Sequence, residues 1–149
     1  MPPRAAKKEV GVSSDRLKRC LARLEAAGID ALLVSSWPNV TYLSGFKGTE
    51  SWLLVSPRGR YFITDSRYFE QAKTEAKDFE ILLRDMKSVT ERVQDLMTRL
   101  KVRRLGFEAP VVTYAFYAAL VKKVGARRLR PVSGLVEALR IVKDDSEIR

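Results

Sequence analysis

Apolar positions change their spacing several times along this chain, and each change marks an element. Leu17, Cys20, Leu21 and Leu24 recur at three- and four-residue intervals, the period of one helix face, with Arg16, Lys18, Arg19 and Arg23 mostly on the wet side. Ser14 stands as a cap, Asp15 lies in the first turn where the dipole favours an anion, and Gly28 supplies the stop. Residues 31–35 form a short, mostly apolar run, too short for another helix, and read as a buried strand. Trp37-Pro38-Asn39 breaks that run, residues 40–46 begin as one helical turn, and Gly45 and Gly48 open a loop. Residues 52–56 and 60–64 flank Pro57-Arg58-Gly59; proline pre-sets the turn and glycine permits positive φ, so an antiparallel hairpin is predicted.

After the hairpin, strands and helices alternate. Ser66 caps a helix carrying Tyr68, Phe69, Ala72 and Ala76, and residues 79–83 are a strand. Residues 88–100 are a helix with Val89, Val93, Leu96, Met97 and Leu100 on one face. A strand at 104–107, a helix at 113–124, a strand at 128–132 and a short helix at 135–139 complete the pattern. Three strand–helix alternations after a hairpin predict a mixed α/β sheet with helices packed on its faces. Residues 1–12 are rich in Pro, Ala and Lys, without periodicity, and read as a flexible tail. At the other end, Asp144, Asp145, Ser146 and Glu147 look like the opening of a further helix.

Composition narrows the chemistry. A length of 149 residues with 46% hydrophobic and 31% charged positions fits one ordinary folded domain. No apolar run approaches the ~18 residues of a membrane span, so no membrane association is expected. Cys20 is the single cysteine, which points to a reducing, cytoplasmic setting. The chain contains no histidine, which excludes Ser-His-Asp and Cys-His catalytic units and histidine metal ligands. The net charge of +10 gathers at residues 99–104 and 122–130, on helix C-termini and strand starts. Without a recognition helix, interleaved aromatics or zinc spacing, it predicts nonspecific anion binding at low salt and no specific nucleic acid partner.

Candidate sites are few. Asp65, Arg67 and Tyr68 stand where the second hairpin strand gives way to a helix, a rigid and accessible position. They form a functional corner there, or Asp65 caps the helix and Arg67 pairs with a nearby carboxylate. Trp37 and Pro38 make a bulky apolar tip after the first strand, either an interface anchor or a plug on the core. Asp30, Asp65, Glu80, Asp85 and Glu108 are hard-cation donors, but nothing in their spacing selects them as a metal site. Tyr114, Phe116 and Tyr117 cannot all face one way on a helix, so at least one points outward.

Four blocks then occur in order: Asn39-Val40-Thr41-Tyr42-Leu43-Ser44-Gly45-Phe46, Ile63-Thr64-Asp65-Ser66-Arg67-Tyr68, Leu105-Gly106-Phe107-Glu108, and residues 139–148. Together they resemble the amino-terminal domain of the creatinase, prolidase and aminopeptidase P family, from about residue 16 to the end of the chain. The resemblance implies a ribonuclease H-like α/β fold: a mixed sheet with an antiparallel hairpin and helices on both faces. It implies this domain at 13–140 and, at 141–149, the start of a junction to an absent catalytic domain. In the family that domain holds a metal pair, often manganese or cobalt, through two Asp, one His and two Glu. No cofactor is therefore expected in this chain, and no activity from it alone.

The role so implied is to dimerise and to lend a loop to the neighbouring subunit's substrate pocket in an Xaa-Pro dipeptidase or aminopeptidase. Trp37 and Pro38 map onto that loop, with Trp37 as an apolar wall. Asp65, Arg67 and Tyr68 map onto the hairpin corner, with Arg67 orienting the peptide. Asn39, Tyr42 and Gly45 are read as structural. Expected partners are a second copy in the full-length protein, the chain's own C-terminal catalytic domain and a peptide substrate. The alternatives are a stand-alone peptide- or protein-binding module with this fold, and the N-terminal domain of a creatinase-like hydrolase.

Overall fold

The strand β1 (Ala31–Val34) is buried on both faces. Ala31 and Leu33 enter one core, Leu32 and Val34 the other, as a period of two requires. A strand of that kind needs a covering layer on each side. A computed structural model, which describes residues 11–141, supplies both layers.

In chain order the elements are α1 (Gly11–Ala27), β1, α2 (Trp37–Ser44), β2 (Trp52–Ser56) and β3 (Gly59–Thr64). A 3-10 turn at Ser66–Tyr68 follows, then α3 (Phe69–Glu75), β4 (Glu80–Leu83), α4 (Val89–Leu100), β5 (Leu105–Glu108) and α5 (Tyr114–Val124). A second 3-10 turn at Ala126–Arg128, β6 (Leu129–Val132) and α6 (Leu135–Ile141) close the series. The six strands form one sheet in the order β4-β3-β2-β1-β5-β6. β2 runs antiparallel to both its neighbours, β1 and β3, while the β3–β4, β1–β5 and β5–β6 pairs are parallel. Five strands therefore point the same way and only β2 is reversed. One edge of the sheet gathers the loops that follow β1, β3, β4, β5 and β6.

The predicted hairpin is present, with Trp52 opposite Ile63 and Ser56 opposite Gly59, but its turn is Pro57-Arg58, and Gly59 is the first residue of β3 and has no positive φ. One core contains residues of α1, α2 and α6 together with Ala72 of α3, against Leu32, Val34, Leu53, Val55 and Phe62. Phe46 lies within it, edge-on to Phe62 at 4.8 Å. The other core joins α4 and α5 to Ala31, Leu33, Leu54, Ile63, Leu105 and Phe107. Ser88 begins α4 with a reciprocal capping box to Glu91. Gln94 Nε2, midway along α4, donates to the Lys123 carbonyl near the end of α5 at 2.8 Å, and Arg128 Nη2 donates to the Val102 carbonyl, which joins the two basic segments.

Three local expectations are corrected. α1 begins at Gly11, so Ser14 lies inside its first turn; a capping residue is a preference worth about 1 kcal/mol and does not stop a helix from extending. Trp37-Pro38 does not break the chain but opens α2, because a proline in a helix's first turn removes an N–H that lacks a partner anyway. Asp65, not Ser66, caps the turn after β3. The tail up to residue 10 and the junction beyond Ile141 lie outside the described residues.

Candidate functional site

Two polar clusters occupy the end of the sheet where the five parallel strands finish. The first is built on Asp65, immediately after β3. Its Oδ1 accepts from the Arg67 backbone N–H at 3.0 Å, closing the turn, and from Arg67 Nε at 3.1 Å. Its Oδ2 accepts from Arg67 Nη2 at 2.8 Å, so the guanidinium grips the carboxylate with two parallel bonds. Arg84, following β4, approaches the same oxygen at 3.3 Å, and Glu50 approaches Arg67 Nη2 at 3.3 Å. Asp85 accepts from the Ser66 backbone at 2.9 Å and from its hydroxyl at 2.8 Å. Asp65, Ser66, Arg67, Arg84 and Asp85 line an open cleft of about 390 Å³.

The side-chain hydrogen bond from Arg67 holds the Asp65 carboxyl below its ordinary range; partial burial opposes this, while the Arg67 backbone N–H and the charges of Arg67 and Arg84 reinforce it. The same bond raises Arg67. Asp65 is thus a buried anchor that aims Arg67, whose side chain remains largely exposed. Capping and ion pairing, given as one alternative from the sequence, describe the Asp65–Arg67 geometry. Tyr68 turns inward: its ring lies edge-on to Phe46 at 6.0 Å, and Arg67 covers it at 5.1 Å. Trp52, at the start of β2, stacks on Phe116 and lies under Arg84 at 5.5 Å.

The second cluster surrounds Glu108, the last residue of β5, which is buried. Its Oε1 accepts from the backbone N–H of Ser35 at 2.6 Å and of Ser36 at 2.8 Å. Its Oε2 accepts from Asn39 Nδ2 at 2.6 Å. The cap residue of α2, Ser36, makes no side-chain capping bond, so a carboxylate from a different strand anchors this helix start. Directly on that start stands Trp37, 61% exposed. Trp37 is therefore a tip and not a core plug. Pro38 beside it is half-buried.

Trp37 and Asp65 follow strands two apart in the sheet, a separation of about 10 Å at the strand level. Met86, Val111 and Tyr114, all highly exposed, follow β4 and β5 at the same end. Of the aromatic trio on α5, Tyr114 is the one that faces outward. A larger cleft of about 750 Å³, between Leu24, Ile29, Arg58, Lys101 and Arg103, lies at the opposite end of the sheet. There Asp30 accepts from the Arg103 and Arg104 backbones at 2.8 and 2.9 Å, at the opposite end of the sheet from Asp65, Asp85 and Glu108, while Glu80 opens the edge strand β4 at the Asp30 end. Among the described residues no group of three or more His, Cys, Asp or Glu is arranged to hold a metal ion. With no histidine in the sequence, the donor set of a two-metal peptidase centre does not fit this chain. No helix among the described residues is long and apolar enough to cross a membrane.

Arg84 belongs to the first cluster, and Glu137 and Arg140 reach the second through Asn39, each at 3.0 Å; none of the three is a candidate site residue in the sequence. Arg84 follows a strand end by one residue, which was the available clue. Glu137 and Arg140 read as ordinary positions of a short helix.

The model of the Creatinase/Prolidase N-terminal domain matches residues 16–142. Over 122 residues the chain is 38% identical to the uncharacterized peptidase YqhT of Bacillus subtilis, covering 82% of this chain and 34% of that protein. The chain thus spans about a third of that relative's length. Among solved structures, an Xaa-Pro dipeptidase from Bacillus anthracis superposes with a TM-score of 0.85 at 34% identity, over 91% of this chain and 38% of the other. The N-terminal domain of the cytoplasmic peptidase PepQ from Mycobacterium tuberculosis superposes at 0.76 with 36% identity, over 85% of this chain and 98% of that domain.

Proposed function

Because this chain belongs to the creatinase/prolidase N-terminal domain family, we propose that it is the non-catalytic domain of a proline-specific metallopeptidase acting on Xaa-Pro peptides. The carrying observation is the superposition of nearly the whole chain on little more than a third of an Xaa-Pro dipeptidase. The remaining part of such an enzyme would hold the divalent metal pair, manganese or cobalt. This chain's residues offer no seat for it and take no part in the bond cleavage.

Its contribution is to the shape of the pocket. In a homodimer of the full-length protein, the end of the sheet bearing Trp37 and Arg67 faces the partner's catalytic domain. Trp37 supplies an apolar wall and Pro38 stiffens the turn behind it. Arg67, held by Asp65 and backed by Tyr68, presents a fixed cation toward the peptide, suited to a substrate carboxylate. The compartment is the cytoplasm, as for the PepQ relative. Xaa-Pro hydrolysis assayed with manganese or cobalt tests the assignment. The chain alone is expected to give no turnover, and the polypeptide joining it to its catalytic domain is expected to give turnover. Metal-dependent cleavage by the isolated chain would overturn it.

A further inference from the structure

The loop that carries Trp37 and the helix that leads out of the described domain share one buried side-chain amide. Asn39, fully buried on α2, donates from Nδ2 to Glu108 Oε2 at 2.6 Å and to Glu137 Oε2 of α6 at 3.0 Å. Its Oδ1 accepts from Arg140 Nη1 of the same α6 at 3.0 Å. An amide has two N–H donors and one carbonyl acceptor, and here each finds a charged partner. Glu108 carries the connection onward to the Ser35 and Ser36 backbones, the two residues before Trp37. A second tie runs between the same helices, Tyr42 Oη donating to the Leu139 carbonyl at 3.2 Å. From Arg140 to Ser36 each successive contact is 3.0 Å or shorter.

We propose that Asn39 and Glu108 are positioning residues that tie the Trp37 tip to α6, so that the place of the tip and the set of α6 are fixed together. The proposal rests on Trp37 forming a wall of the neighbouring pocket. On that basis, a shift between this domain and the one that follows it reaches the partner's pocket through α6, Asn39 and the start of α2. A carboxylate in place of the amide would set three acids together, and an alkyl side chain would leave Glu108, Glu137 and Arg140 short of partners. The Asn39–Glu108 bond is buried and those to Glu137 and Arg140 are part-buried, and a charged network anchored in this way holds one geometry better than apolar packing alone.

The test uses the tip's own fluorescence. The sequence has two tryptophans, so Trp52→Phe leaves Trp37 as the reporter. In that background the double variant Glu137→Ala/Arg140→Ala removes the α6 end of the side-chain network without touching the tip, and both residues are on the exposed side of the helix. It is expected to lower the anisotropy of Trp37 and to raise its acrylamide quenching about twofold, reporting freer local motion. Glu108→Gln is expected to produce a larger change. Val124→Ala, in the core on the far face of the sheet, serves as a control that lowers the melting temperature and leaves the Trp37 signals unchanged. Unchanged Trp37 signals in the folded double variant, or an equal change in Val124→Ala, would overturn the proposal. No peptide enters this measurement, so its failure is separable from that of the pocket reading, which is judged by kinetics.

Discussion

Glu108 Oε2 lies 2.6 Å from Asn39 Nδ2, a bond between residues 69 positions apart, both buried at the point where β5 meets the start of α2. Three N–H donors at the start of α2 point at Glu108, and the Ser35 hydroxyl donates to its Oε1 more distantly, at 3.5 Å. Glu108→Gln keeps the size of the side chain but turns an N–H₂ toward at least one of these donors. The expected loss is about 1–3 kcal/mol. Thermal unfolding should show a melting temperature lower by roughly 2–4 °C for each kcal/mol in a domain of this size.

Asp65 makes stability depend on acid. Its folded carboxyl is held below the ordinary value of 3.8, chiefly by the Arg67 hydrogen bond, so the folded chain binds this proton less readily than the unfolded chain. Its contribution is complete above the unfolded value and is lost as pH falls through the folded one. Asp65→Asn is expected to lower the melting temperature at neutral pH. Melting curves from about pH 7 down to about pH 2 should then show parent and variant converging below about pH 4.

Cys20 should be chemically silent. Burial first, and the nearby Glu108 charge second, push its thiol up to about 12 against the opposing effect of Arg23. The reactive species is the thiolate, which is then scarce near neutrality. Iodoacetamide is expected to leave the folded chain unlabelled at about pH 8 and to label it fully in denaturant, with mass spectrometry as the readout.

Much of the fold is legible along the chain, because the periodicities that reveal it are local. The hairpin around Pro57-Arg58-Gly59 and the apolar face of α4 each lie within a dozen residues. The start of α2 is different. Trp37-Pro38 looks like a break when read locally, since the carboxylate that anchors it arrives from Glu108, 72 residues beyond Ser36. The Asn39 network spans 101 residues from Asn39 to Arg140, and no window of sequence contains it. The Asp65 corner was visible as a group of chemistry-bearing residues. That Arg67 faces out while Tyr68 turns in toward Phe46 depends on the 3-10 turn and on a ring from another loop.

In the proposed function, the sheet end bearing Trp37 and Arg67 shapes a peptide pocket in the neighbouring subunit. Steady-state kinetics on Xaa-Pro dipeptides and tripeptides test it most directly, using the polypeptide that joins this domain to its catalytic domain. Trp37→Ala and Arg67→Ala are each expected to raise KM about tenfold, or ~1.4 kcal/mol, with kcat little changed, and Trp37→Ala to alter the preference for peptide length. KM and length preference equal to the parent enzyme's in both folded variants would contradict the account.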